Sequence, residues 1–192
     1  IGRLAAGVAH EIGNPVTGIA CLAQNLREER EEDDELTEIS GQILEQTKRI
    51  SRIVQSLMSF AHAGSHQHSD EPVCLAEVAQ DAIGLLALNR RNFEVQFYNL
   101  CDPDHWVEGD PQRLAQVLIN LLSNARDASP PHSAVRVKSE AGEHTVDLIV
   151  EDEGSGIPKN IMDRLFEPFF TTKDPGEGTG LGLALVYSIV EE

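Results

Sequence analysis

Residues 110–128, DPQRLAQVLINLLSNARDA, decide the fold. Asp110 ahead of Pro111 is an N-cap with proline at the first helical position, and the helix it opens runs to about Ala128. Val117, Leu118, Leu121 and Leu122 supply its buried face. Upstream, residues 75–88 form an amphipathic helix and residues 93–98 alternate as a strand. Downstream, residues 134–139 and 145–151 alternate as two strands around the turn Ala141-Gly142-Glu143. A glycine-rich segment, a short helix over 158–165, a second glycine-rich segment and a last helix from about Gly180 follow. Helices and strands are mixed without regular alternation. That predicts a helix layer packed on a mixed sheet, an α/β sandwich.

The first 62 residues read differently. Leu4, Val8, Ile12, Val16, Ile19, Leu22 and Leu26 recur at three- and four-residue steps, and Leu36, Ile39, Ile43, Ile50, Ile53, Leu57 and Phe60 do the same, with a polar gap at Gln46. The acidic run over 28–35 between them reads as a solvated helix–turn–helix tip. Two such helices make an antiparallel hairpin, and a lone hairpin cannot bury both apolar stripes. Pairing two hairpins in a four-helix bundle does, so a homodimer is expected. Residues 65–71 are polar and aperiodic and read as a linker between a helical domain, 1–64, and a second domain, 72–192. His62, His66 and His68 read as chance histidines of that region, because no rigid element holds them as a metal site. The fold class is α+β.

The chain has 192 residues, 41% hydrophobic and 24% charged, which suits globular domains and excludes full disorder. Asp and Glu number 32 against 15 Lys and Arg, a formal charge of −17. A nucleic-acid backbone or an anionic membrane needs a basic face, so neither is the expected partner. A local site can still bind a nucleotide against that field. Apolar stretches such as 83–88 fall far short of the ~20 residues that span a bilayer. Cys21, Cys74 and Cys101 form no metal pattern and no disulfide framework, so a reducing, cytoplasmic setting is expected, with membrane anchoring only through segments outside this chain. Ile1 is not Met and Glu192 falls inside a helical pattern, so a fragment of a longer protein is expected.

Four constellations carry chemistry. His10 and Asn14, four apart in the first helix, share one face, with Glu11 beside the histidine. Gly13 and Pro15 should bend or soften the helix just after His10. An imidazole can act as nucleophile, and a carboxylate can hold or deprotonate it. Asn120 and Asn124 repeat the four-residue spacing; they read either as oxygen ligands for a hard cation such as Mg²⁺ or as tolerated surface residues. Asp152-Glu153-Gly154-Ser155-Gly156 follows a strand, where Asp152 can accept from an exocyclic amine and the glycines allow a sharp turn or close approach. Gly176 to Leu183 opens a helix, whose free N–H groups suit an anion such as a triphosphate, but it lacks the Lys-Ser/Thr ending of a P-loop. Between the glycine segments, residues 165–173 hold three phenylalanines. They read as core packing or, preferably, as a lid.

Together these segments resemble the two-component sensor histidine kinases. His10-Glu11-Ile12-Gly13-Asn14-Pro15 is similar to their H-box, the Asn124 segment to the N-box, residues 152–156 to the first glycine box, 166–170 to the F-box and 178–182 to the second glycine box. All five occur in the family's order over essentially the whole chain. The resemblance implies a dimeric phosphotransfer bundle followed by a Bergerat-fold ATP-binding domain. It implies His10 as phosphoacceptor, Glu11 as its acid/base partner and Asn14 as a residue supporting dephosphorylation of a response regulator. It further implies Asn124 as the Mg²⁺ ligand with Asn120 one turn away, and Asp152 on adenine with Gly154 and Gly156 shaping the turn. Lys173 and the backbone around Gly178, Thr179, Gly180, Leu181 and Gly182 would bear on the phosphates of ATP. Family members continue into further strands, so the domain is expected to be cut short at its C-terminus. Two other classes compete. A gyrase- or chaperone-type ATPase needs a water-activating base, commonly a carboxylate, where Asn120 stands. A silent dimerisation and docking module fits only if the later strands are truly missing.

Overall fold

The computed structural model describes residues 2–29, 34–63, 71–88, 95–174 and 178–191. The acidic tip at 30–33, most of the expected linker with His66 and His68, and Phe93 lie outside the described residues. The chain divides into two compact units, Ile1–Ser65 with Glu167–Leu181, and His66–Phe166 with Gly182–Glu192.

The first unit is built on α1 (Gly2–Glu29) and α2 (Asp34–Ala63). The softening expected after His10 does not interrupt α1, which runs helical through Gly13 and Pro15. Thr17 Oγ1 donates to the Gly13 carbonyl at 2.9 Å one turn back. The apolar stripes divide in a way that periodicity did not foretell. Val16 and Ala23 on α1 are buried, as are Ser40 and Thr47 on α2. The two hydroxyls donate to their own helix at Thr37 O (2.9 Å) and Leu44 O (2.8 Å), so their burial strands no polar group. Ile12, Ile19, Leu22, Ile39, Ile50 and Ile53 stay exposed, Leu22 by 70%. Small and medium side chains fill the buried contact, Leu36, Ile43 and Leu44 are half-buried beside it, and the larger exposed ones lie toward the outside.

The second unit starts with β1 (Pro72–Cys74) and α3 (Leu75–Leu88), then β2 (Gln96–Leu100), β3 (Trp106–Glu108), α4 (Pro111–Ala128), β4 (Ala134–Ala141), β5 (Val146–Glu151), a 3₁₀ turn at Lys159–Arg164 and α5 (Gly182–Val190). β2, β4 and β5 form a mixed sheet in that order. β2 runs parallel to β4 (Phe97 opposite Val135) and β5 antiparallel to it (Val150 opposite Val137). Val135 and Val137 of the central strand are fully buried against Ala79 and Ala82 of α3 and Leu118 and Leu122 of α4. The helix-on-mixed-sheet expectation is met. Asp110 caps α4, its Oδ1 accepting from Gln112 N–H at 2.8 Å and Arg113 N–H at 3.4 Å. β1 and β3 pair separately as an antiparallel two-stranded sheet, Val73 opposite Val107, and neither was foreseen. The strand read over 93–98 lies at Gln96–Leu100, and the last helix opens at Gly182 instead of Gly180. Gly180 has φ +65°, which no helical residue adopts. Among the described residues no helix is long and apolar enough to cross a membrane.

Candidate functional site

α4 is the platform of the second unit's site. Asn120 and Asn124 share one of its faces, and Gly182, the first residue of α5, settles against both. A Cβ at Gly182 would lie 3.8 Å from Asn120 Oδ1 and 4.0 Å from Asn124 Nδ2. The amino end of a nine-residue helix, with its unpaired N–H groups and positive dipole, therefore meets two carboxamides. Asn120 Nδ2 is buried with no hydrogen-bond partner among the described residues. An unsatisfied buried amide costs ~1–3 kcal/mol, so such a group marks a place that a polar ligand completes. The carboxamide oxygens are hard donors of the type Mg²⁺ takes. Among the described residues no three His, Cys, Asp or Glu side chains are disposed to hold a metal.

The other end of α4 carries the first glycine loop. β5 runs out into Asp152, whose Oδ1 accepts the Gly154 N–H at 2.8 Å. Gly154 is pressed on the last residue of α4. A Cβ there would sit 2.6 Å from Ala128 O and 2.7 Å from Asp152 Oδ1, so only glycine fits. Gly156 turns the chain at φ +72° with open space around it. Asp152 is exposed, and Arg136 Nη1 holds the adjacent Glu153 Oε1 at 3.0 Å.

In the first unit, the phenylalanine segment and the second glycine segment are pinned together. Phe169 N–H donates to Gly180 O at 2.8 Å, and both residues have positive φ, +68° and +65°. A Cβ on Gly180 would run into the Phe169 carbonyl, and one on Gly178 into Thr171 Oγ1. Thr171 Oγ1 also accepts the Lys173 N–H at 3.2 Å, and Thr179 Oγ1 the Leu181 N–H at 3.4 Å. Sequence reading missed Thr171; a threonine between aromatics and a lysine carries no signal by itself. Phe169 is 64% exposed, which disfavours ordinary core packing for this segment. On α1, Asn14 is exposed, while the His10 and Glu11 side chains lie outside the described residues.

Two family profiles match the chain, the His Kinase A (phospho-acceptor) domain over residues 1–66 and the histidine kinase-, DNA gyrase B- and HSP90-like ATPase over residues 109–192. A solved catalytic domain of the histidine kinase ThkA is 32% identical, with a TM-score of 0.58 over 66% of this chain and 81% of that one. The chain belongs to the two-component sensor histidine kinase family. A curated member, the sensor histidine kinase ZraS of Escherichia coli (strain K12), is 35% identical over 100% of this chain and 41% of its own length. The chain thus spans about two fifths of that curated relative. Another solved kinase structure, ThkA in complex with the response regulator protein TrrA, is 28% identical, with a TM-score of 0.66 over 99% of this chain and 54% of that one. The kinase family's helical phosphoacceptor domain and its ATPase-type domain thus account for the hairpin and for the helix-on-sheet unit.

Proposed function

We propose that this chain is the core of a histidine kinase that moves the γ-phosphoryl group of ATP to His10 and then to an aspartate of a response regulator. The observation that carries the reading is the meeting of Asn120, Asn124 and the amino end of α5 at Gly182, with a buried amide nitrogen left to be satisfied. Residues 1–64 serve as the dimerisation and phosphotransfer hairpin, 65–71 as linker and 72–192 as the ATP-binding domain. The exposed Ile12, Ile19, Leu22, Ile39, Ile50 and Ile53 favour a homodimer, since a second hairpin would cover them.

In this mechanism Asp152 accepts a hydrogen bond from the adenine amine, on a loop that Gly154 seats against α4 and Gly156 turns. Lys173 and the backbone N–H groups of Gly178, Thr179, Gly180, Leu181 and Gly182 bear on the phosphates. Asn124, with Asn120 one turn away, would hold Mg²⁺, whose charge offsets that of the phosphate oxygens. The His10 imidazole attacks the γ-phosphorus in line, a P–N bond forms, the P–O bond to ADP breaks, and Glu11 holds the imidazole and takes its proton. The phosphoryl group next passes to the regulator's aspartate. Asn14, one turn from His10, orients a water that hydrolyses the resulting acyl phosphate.

Incubation with γ-labelled ATP·Mg²⁺ tests this. The label should be acid-labile and base-stable, as phosphohistidine is. It should vanish in His10→Gln with nucleotide affinity kept. It should also vanish in Asp152→Asn with affinity lost. Label retained by His10→Gln would overturn the phosphoacceptor assignment.

A further inference from the structure

On the sheet face turned away from α3 and α4, β4 carries two cations, and the end of β5 with the loop after it carries two carboxylates. Arg136 and Lys138 alternate with the buried Val135 and Val137, so they stand on that outer face. Glu151 closes β5, and Glu153 follows two residues on. The ladder sets Arg136 opposite Glu151 and Lys138 opposite Ile149. The ion pairs do not follow that register. Lys138 Nζ reaches diagonally to Glu151 Oε2 at 2.5 Å, and Arg136 Nη1 reaches past the end of the strand to Glu153 Oε1 at 3.0 Å. Directly opposite side chains are nearer neighbours than diagonal ones, so Glu151 is the natural partner of Arg136. Lys138 occupies Glu151, and Arg136 is thereby left for the loop. Asp152, between the two paired carboxylates, bonds the Gly154 N–H instead, at 2.8 Å.

We propose that Arg136 is a positioning residue for adenine recognition, acting through Glu153, and that Lys138 keeps it in that role. The inference rests on the reading of Asp152 as the acceptor of the adenine amine. Asp152 is held from both sides, its predecessor Glu151 by Lys138 and the ladder, its successor Glu153 by Arg136. Turning the backbone at Asp152 breaks one of the two pairs, so together they keep the carboxylate aimed. Both pairs are partly exposed, which limits the brace to the modest factor of a surface ion pair. Aim and field can be told apart. A cation near a nucleotide also attracts phosphate, but that attraction grows with phosphate charge and vanishes for adenosine, which carries none. A brace on Asp152 acts on adenosine and ADP alike. Neutralising Glu153 separates the two further, since it favours an anion through the field and weakens every adenine ligand through the brace.

The test titrates the full chain calorimetrically with adenosine and with ADP·Mg²⁺. Arg136→Gln should weaken both by the same factor, about two- to fivefold, with an unchanged thermal midpoint. Glu153→Gln should weaken adenosine equally, and the double variant should lose no more than either single one. Lys138→Met should weaken adenosine too, because Glu151 then captures Arg136, and adding Glu151→Gln should restore it. The factor should fade in about 1 M salt. A loss confined to ADP, or wild-type adenosine affinity in Arg136→Gln while Asp152→Asn weakens it, would overturn the brace. Adenosine affinity untouched by Asp152→Asn would overturn the adenine reading itself, and the brace with it. Wild-type affinity in Lys138→Met would overturn the part given to Lys138.

Discussion

Replacing Gly154 by alanine tests whether the loop after β5 owes its place to close packing on α4. The added Cβ falls 2.6 Å from Ala128 O, 2.9 Å from the Ala128 carbonyl carbon and 2.7 Å from Asp152 Oδ1. Relieving the first contact to 3.4 Å, where ordinary van der Waals contact begins, moves the loop by about 0.8 Å. The neighbour is helix backbone, so the loop gives way. Retreat stretches the 2.8 Å bond from Gly154 N–H to Asp152 and turns the carboxylate that is proposed to read adenine. Overpacking of this kind costs ~1–3 kcal/mol. Expressed in nucleotide binding, that is a ~5–150-fold rise in Kd. Gly156→Ala is the control, since at φ +72° with nothing within 4 Å it meets only the backbone penalty, ~1–2 kcal/mol. Gly156→Asn should recover part of it, because Asn tolerates that conformation. Calorimetric titration with a non-hydrolysable ATP analogue and Mg²⁺, with thermal unfolding alongside, measures both terms. Wild-type affinity and midpoint in Gly154→Ala would refute the packing argument.

Asn14→Ala should leave autophosphorylation largely intact yet slow decay of the phosphorylated regulator by ~10²-fold; equal regulator-phosphate lifetimes with folding intact would remove Asn14 from the chemistry. Leu22→Glu, at a position 70% exposed in the single chain, should keep α1 and α2 helical by circular dichroism but yield a monomer by light scattering at micromolar concentration. A dimer of unchanged strength would place the interface elsewhere. Leu122→Ala empties a fully buried position between α4 and the sheet and should cost ~2–5 kcal/mol in chemical denaturation; a loss below ~1 kcal/mol would mean that α4 repacks freely.

Where structure is set by neighbours in sequence, it could be read directly. α3 and α4 occupy the residues that periodicity and the Asp110-Pro111 cap assign, because the Asp110 carboxylate bonds N–H groups only two and three residues on. β4 and β5 follow their alternation to within two residues. The shared face of Asn120 and Asn124 likewise needs only the helical repeat. β1 and β3 are three residues each, too short for a period, and exist because Val73 finds Val107 across the intervening α3 and β2. The parallel pairing of β2 with β4 was equally hidden, since it depends on α4 crossing between them.

The same division runs through the candidate site. Glycine-rich spelling marked residues 152–156 and 176–182 without saying what each glycine is for. Gly154 is required by the carbonyl of Ala128, and Gly180 by the backbone of Phe169 and a positive φ. Helical periodicity drew apolar stripes on α1 and α2, but Val16 and Ala23 went inside while Ile19 and Leu22 stayed out. A stripe is wider than one helix can cover, and side-chain size at the contact chooses the seam. The sequence alone determined helix phase, caps and turn chemistry, because those energies are settled within four or five residues. Tertiary structure decided the seam, the strand partners and the landing of Gly182 on Asn120 and Asn124, because those depend on how residues far apart in the chain pack at the same time.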